Sequence, residues 1–122
     1  MKKIILSLSF SMLFLLDATA KDVVVDRGKA LFEAKGCAVC HKHEVEVIGP
    51  SLRKIAKVYA GKSKELVSYL KSQGKPIVYP ERAPVMNPQL VKIKTLLGDD
   101  IRAIATYLIV ANDRPFTNNA KQ

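Results

Sequence analysis

Cys37-Ala38-Val39-Cys40-His41 holds the only two cysteines of the 122-residue chain, with a histidine directly behind the second. C-x-x-C-H is the spacing of covalent haem attachment. Two thiols three positions apart can add to the two vinyl groups of one porphyrin, and the next imidazole then meets the iron from one face. This constrains the fold strongly. A chain of about 100 residues makes one small domain and buries a modest share of its surface on its own. A large apolar plate gives its side chains something to pack against, so the core is expected to form around the cofactor.

Other uses of C-x-x-C fit less of the sequence. A disulfide between Cys37 and Cys40 suits an exported chain, but it leaves His41 and the methionine discussed below unexplained. A thiol oxidoreductase needs a βαβ context, and no alternating strand pattern competes with helices here. A zinc site needs further ligands in metal spacing.

Lys2 and Lys3 precede an apolar run from Ile4 to Leu16 that is broken only by Ser7, Ser9 and Ser11, and Ala18-Thr19-Ala20 follows. A basic start, a short apolar stretch and an A-x-A end make a secretory signal peptide. They predict cleavage after Ala20 and a periplasmic destination. An uncleaved anchor is the competing reading, but the run falls short of the roughly 20 apolar residues that span a bilayer. The sequence thus divides into a leader over 1–20, a domain over 21–111 and a polar tail over 112–122 that contains Pro115.

Losing Lys2, Lys3 and Asp17 with the leader lowers the formal net charge from +9 to +8. A basic balance favours solubility and acidic partners. Nucleic acid is the wrong partner for an exported chain with this motif, and the lysines are scattered without arginine–aromatic interleaving. Two readings of the charge stand side by side: a solvated surface, or a docking face for an acidic redox protein or anionic headgroups.

The spacing predicts an all-α domain of four to five short helices. The first covers about Asp26 to Lys35, with Gly28 where another helix must come close and Phe32 one turn later. The second follows Gly49-Pro50-Ser51; its Leu52, Ile55, Ala56 and Tyr59 fall on one face, and Gly61 ends it. Ser63 is expected to cap a third helix through about Gln73, with Gly74 after it. Asn87-Pro88 reads as an N-cap and first helical residue of a fourth helix to about Leu96. The last helix opens near Gly98 to Asp100, with Asp99 and Asp100 at its positive end and Ile101, Ile104, Ala105 and Leu108 on its buried face.

Between Lys75 and Pro88 stand Pro76, Pro80, Pro84 and Pro88. Prolines at that density exclude a long helix and predict a stiff loop. With Met1 and Met12 in the leader, Met86 is the only methionine of the mature chain. A lone methionine is ordinarily core filler, but a thioether on a stiff loop can complete the coordination of an iron opposite His41. His43 lies two residues from His41 and cannot reach the far face of the same porphyrin. It reads as a surface histidine.

Gly28-x-x-x-Phe32, Cys37-x-x-Cys40-His41, Gly49-Pro50, a late Met86 and a final helix with Tyr107 together resemble the class I c-type monohaem cytochromes over essentially the whole mature chain. The run Ile48-Gly49-Pro50-Ser51-Leu52 and the proline-rich approach to Met86 resemble a subgroup of small periplasmic cytochromes from sulfur- and hydrogen-oxidising bacteria. The resemblance implies the cytochrome c fold and one haem c held by two thioether bonds from Cys37 and Cys40. It makes His41 and Met86 the iron ligands, and the carbonyl of Pro50 the acceptor for the other nitrogen of His41. It also implies that Gly28 and Phe32 meet the last helix near Tyr107. That helix usually opens on a Ser/Thr cap in the subgroup; Gly98 holds the place here, and glycine is only slightly worse.

These readings predict a monomeric one-electron carrier rather than an enzyme, with no stable membrane insertion after leader removal. Its partners would be transient redox proteins with acidic faces: a cytochrome bc complex, a terminal oxidase or a sulfur-compound oxidoreductase. The alternative is a haem c subunit of a sulfur-oxidising or peroxide-reducing complex.

Overall fold

The computed structural model describes residues 5–111, with side chains from Ala20 onward; the polar tail over 112–122 lies outside the described residues. The fold is all-α, with five helices among the described residues: α1 (Ile5–Ala34), α2 (Leu52–Val58), α3 (Ser63–Leu70), α4 (Ala83–Ile93) and α5 (Gly98–Val110). Short 3-10 turns cover Cys37–Val39 and Pro80–Arg82. Extended pairing among the described residues is an isolated antiparallel bridge between His41 and Glu46.

α5 is the centre. α1, α2 and α3 all pack on it, and its Ile101 and Ile104 are each 1 % exposed. The spacing of Ile101, Ile104, Ala105 and Leu108 puts them on one stripe, and all four are buried. α1 crosses α5 at Gly28, which lies against the backbone of Ala103. One turn on, the rings of Phe32 and Tyr107 meet at 5.4 Å and 59°, a tilted arrangement of the kind aromatic pairs favour. Arg27 pairs with Asp100 across the same crossing.

α2 follows the expected pattern. The Ser51 hydroxyl caps it by accepting the Lys54 amide hydrogen at 3.1 Å, and Leu52, Ile55, Ala56 and Tyr59 are buried. Gly61, at φ +71°, turns the chain out.

Helix boundaries differ from the sequence expectation in several places. α1 starts at Ile5, far ahead of Asp26; no glycine or proline lies between the leader and Asp26 to stop it. Lys62 holds the N-cap position of α3 without a side-chain hydrogen bond, and Ser63 is its first residue. It ends at Leu70, because Ser72 adopts φ 61° and the amides of Gln73 and Gly74 both turn back to the Ser68 carbonyl. α5 opens at Gly98, within the expected start, but with Leu97 rather than Gly98 in the cap position.

The largest difference is α4. It begins at Ala83, not at Asn87-Pro88, so Met86 stands in its first turns rather than at the end of a stiff loop. The first-turn proline is Pro84, where the missing N–H costs nothing. Pro88 sits inside the helix; it removes one ladder bond, whose orphaned acceptor would be the carbonyl of Pro84, an exposed residue. Irregular chain covers the stretch from Ser72 to Tyr79.

Candidate haem site

Gly36 makes the exit from α1. At φ +75° it takes a conformation that side chains resist, and its amide closes on the Glu33 carbonyl at 3.0 Å. The chain then winds into the 3-10 turn of the motif, where the amides of Cys40 and His41 both reach the Cys37 carbonyl, at 3.2 and 3.0 Å. A glycine just past a helix is a C-terminal signal legible in the sequence, and Gly36 is one that the expected end near Lys35 did not use.

This turn opens on a cavity of about 460 Å³, within the range of about 300–1,000 Å³ typical of ligand pockets. Cys37, Cys40, His41, Pro50 and Met86 all line it. Its walls are apolar and come from every part of the fold: Phe32 of α1, Ile55 of α2, Leu66 and Leu70 of α3, Ile93 of α4, and Ile104 of α5. Residues scattered over seventy positions thus face one space, as expected if the core is shaped by a ligand.

His41 is fixed from two sides. Its Nδ1 lies 2.8 Å from the Pro50 carbonyl, so Nδ1–H donates and the lone pair of Nε2 stays free. Gly49 packs against the ring, and its amide donates to the Cys40 carbonyl at 2.9 Å. His43 is outside the cavity lining. Its Nε2 lies 3.1 Å from the Ala111 carbonyl and its Nδ1 3.7 Å from Glu44, which ties it to the end of α5.

Burial pushes the Cys37 thiol above its ordinary range, outweighing the pull of its own backbone hydrogen bond. Reactive C-x-x-C pairs have the opposite shift, which counts against a thiol oxidoreductase. Tyr59 also lines the cavity. Burial, then the neighbouring Tyr69, push its hydroxyl up to about 12. The amide of Ile77 lies near that hydroxyl without closing a hydrogen bond, and the hydroxyl is buried and unpartnered.

Glu46, Tyr79 and Arg82 form a cluster beside the cavity that the sequence reading missed. Tyr79 donates its hydroxyl to Glu46 at 2.5 Å, and Arg82 stacks 4.6 Å above the Tyr79 ring. Glu46 and Tyr79 are 33 positions apart, and no local pattern signals such a pair.

A family model for cytochrome c matches residues 25–109, well over half of the chain. The chain belongs to the cytochrome c family. Two relatives align over shorter stretches. Cytochrome c-551 of Azotobacter vinelandii is 37 % identical over 38 residues, covering 31 % of this chain and 46 % of that protein. Cytochrome c-551 of Stutzerimonas stutzeri is 44 % identical over 34 residues, covering 28 % of this chain and 33 % of that protein. The chain thus spans less than half the length of either relative in these matches.

A cytochrome c carries one covalent haem c, and Cys37 and Cys40 are its pair of thiols in this chain. The residues present fit that group. The cavity is apolar and of ligand size, the thiols face it, and one imidazole nitrogen is free. The orphaned Tyr59 hydroxyl is a buried donor awaiting an acceptor, and Lys35, Arg82 and Lys92 line the same space, where a carboxylate-bearing ligand would find counter-charge.

Proposed function

We propose that this cytochrome c is a periplasmic one-electron carrier with His41 and Met86 as its axial ligands. One observation carries the reading: an imidazole whose Nδ1–H is committed to Pro50 at 2.8 Å shares a cavity with the only methionine of the region after the leader. Bound there, haem supplies a one-electron Fe(II)/Fe(III) couple. Each side chain then has a task. Cys37 and Cys40 anchor the group. Pro50 holds the His41 ring in one orientation and makes it more basic. The Met86 thioether, a soft donor, favours the reduced state and raises the potential. The apolar walls disfavour the extra charge of the oxidised state and exclude water. With both axial positions filled by side chains, no substrate reaches the iron, which is a carrier's arrangement and not an enzyme's.

The leader supports export, with cleavage after Ala20 leaving Lys21–Ala34 of the first helix on the domain. Among the described residues no helix is long and apolar enough to cross a membrane. Lys35, Arg82 and Lys92 surround the cavity, with Val39, Ile48 and Val85 exposed beside it. A small apolar patch ringed by cations suits a brief encounter with an acidic redox protein, whose association rate falls with salt. A cytochrome bc complex, a terminal oxidase or a sulfur-compound oxidoreductase would each offer such a face, the last in keeping with the subgroup resemblance.

Optical spectra of the exported protein, oxidised and then dithionite-reduced, test the proposal. Sharp reduced α and β bands with a weak near-infrared band in the oxidised form are expected. A high-spin spectrum would mean an open iron and an enzyme-type site.

A further inference from the structure

The helix that carries Met86 is anchored at its far end. α4 buries Leu90 and Ile93 in the core, whereas its first turn, with Met86 partly buried, continues directly from the 3-10 turn Pro80–Arg82. That turn hangs from Tyr79, whose carbonyl accepts the Arg82 amide hydrogen at 2.9 Å. Tyr79 sits at φ 63°, ψ 66°, a left-handed conformation rare for a bulky side chain. Such a conformation persists only where the surroundings over-determine it.

The surroundings here are side chains. Glu46 accepts the Tyr79 hydroxyl hydrogen at 2.5 Å. Arg82 covers one side of the Tyr79 ring at 4.6 Å and approaches Glu46 at 4.0 Å, and Lys54 lies 5.4 Å from the ring centre. Glu46 in turn is bridged through its backbone to His41. A continuous line therefore runs from His41 through Glu46, Tyr79 and Arg82, the cap of α4, to Met86 four residues on. Exposed ion pairs contribute little. The charge-assisted hydroxyl–carboxylate bond is the stronger element.

We propose that Glu46, Tyr79 and Arg82 form a latch between the two sides of the haem cavity, and that the Glu46–Tyr79 bond sets how readily Met86 leaves the iron and a small nitrogen base takes its place. The inference rests on Met86 as the sixth ligand. These are positioning residues: they act through the segment that carries Met86.

The test uses the haem-loaded protein in its ferric form, titrated with imidazole at neutral pH while the near-infrared methionine-to-iron band is followed. Glu46→Ala and Tyr79→Phe should each bind imidazole roughly three- to tenfold more tightly, the range expected for the net loss of one solvent-exposed hydrogen bond. The double variant should gain no more than the stronger single one, because both remove one interaction. Glu44→Gln on the same loop, whose carboxylate faces Arg53 at 2.7 Å, should leave the affinity unchanged. A contact that merely stabilised the fold would lower the thermal midpoint and not the imidazole constant. If the parent protein shows the band and neither variant changes imidazole affinity, the latch is overturned while Met86 stands. If the parent lacks the band, Met86 fails and the latch falls with it.

Discussion

Gly28 meets Ala103 more closely than any side chain would allow: a β-carbon at position 28 would fall 2.0 Å from the Ala103 carbonyl oxygen. Inside a helix, Gly→Ala ordinarily gains about 0.5–1 kcal/mol. Here the clash is with backbone, which cannot step aside, so the sign reverses. Gly28→Ala should destabilise the haem-loaded protein by about 1–3 kcal/mol, the usual cost of overpacking, and drive α1 from α5. Thermal melts followed at the haem bands measure it; an unchanged or higher midpoint would mean that the crossing yields to a methyl group.

Gly49 and Gly61 separate two uses of glycine. A β-carbon on Gly49 would fall 2.5 Å from Cε1 of His41, whereas Gly61 has open space around it and a φ of +71°. Gly49→Ala should push the imidazole away from the Pro50 carbonyl and shift the reduction potential. Gly61→Ala should cost about 1 kcal/mol of backbone strain and leave the potential alone. Voltammetry beside denaturant melts tells the two apart.

Removing the thioether should open the iron without releasing the haem. Met86→Ala is expected to keep its covalent haem and gain binding of cyanide in the ferric form and carbon monoxide in the ferrous form. A low-spin spectrum that is unchanged and refuses both ligands would assign the sixth position to another residue.

Tyr59 makes stability fall at high pH. Its hydroxyl is pushed up to about 12 in the fold, against about 10 in an unfolded chain. The fold therefore favours the neutral form. The stability this contributes is complete below pH 10 and is lost as pH rises toward 12. Burial moves Tyr69 and Tyr107 the same way. Tyr59→Phe should flatten the decline of urea stability measured in steps between those values. A slope equal to the parent's would place the titration on the other tyrosines.

Where chemistry is local, the sequence was enough. The C-x-x-C-H spacing is set by the distance between two vinyl groups. The faces Leu52–Ile55–Ala56–Tyr59 and Ile101–Ile104–Ala105–Leu108 follow from the helical repeat. Gly28 and Phe32, four apart, announced a close crossing because only glycine admits one.

Tertiary structure decided what depends on distant partners. The four prolines around Met86 are compatible with a stiff loop or with a helix opening at Pro84. The choice fell to the helix, which buries Leu90 and Ile93. Lys62 and Leu97 hold the cap positions in place of Ser63 and Gly98, and neither side chain makes a capping hydrogen bond. The buried hydroxyl of Tyr59 and the bond from Tyr79 to Glu46 have no local signature at all. The bond joins positions 33 apart in the chain, and such a contact comes into being only when the helices close around one cavity.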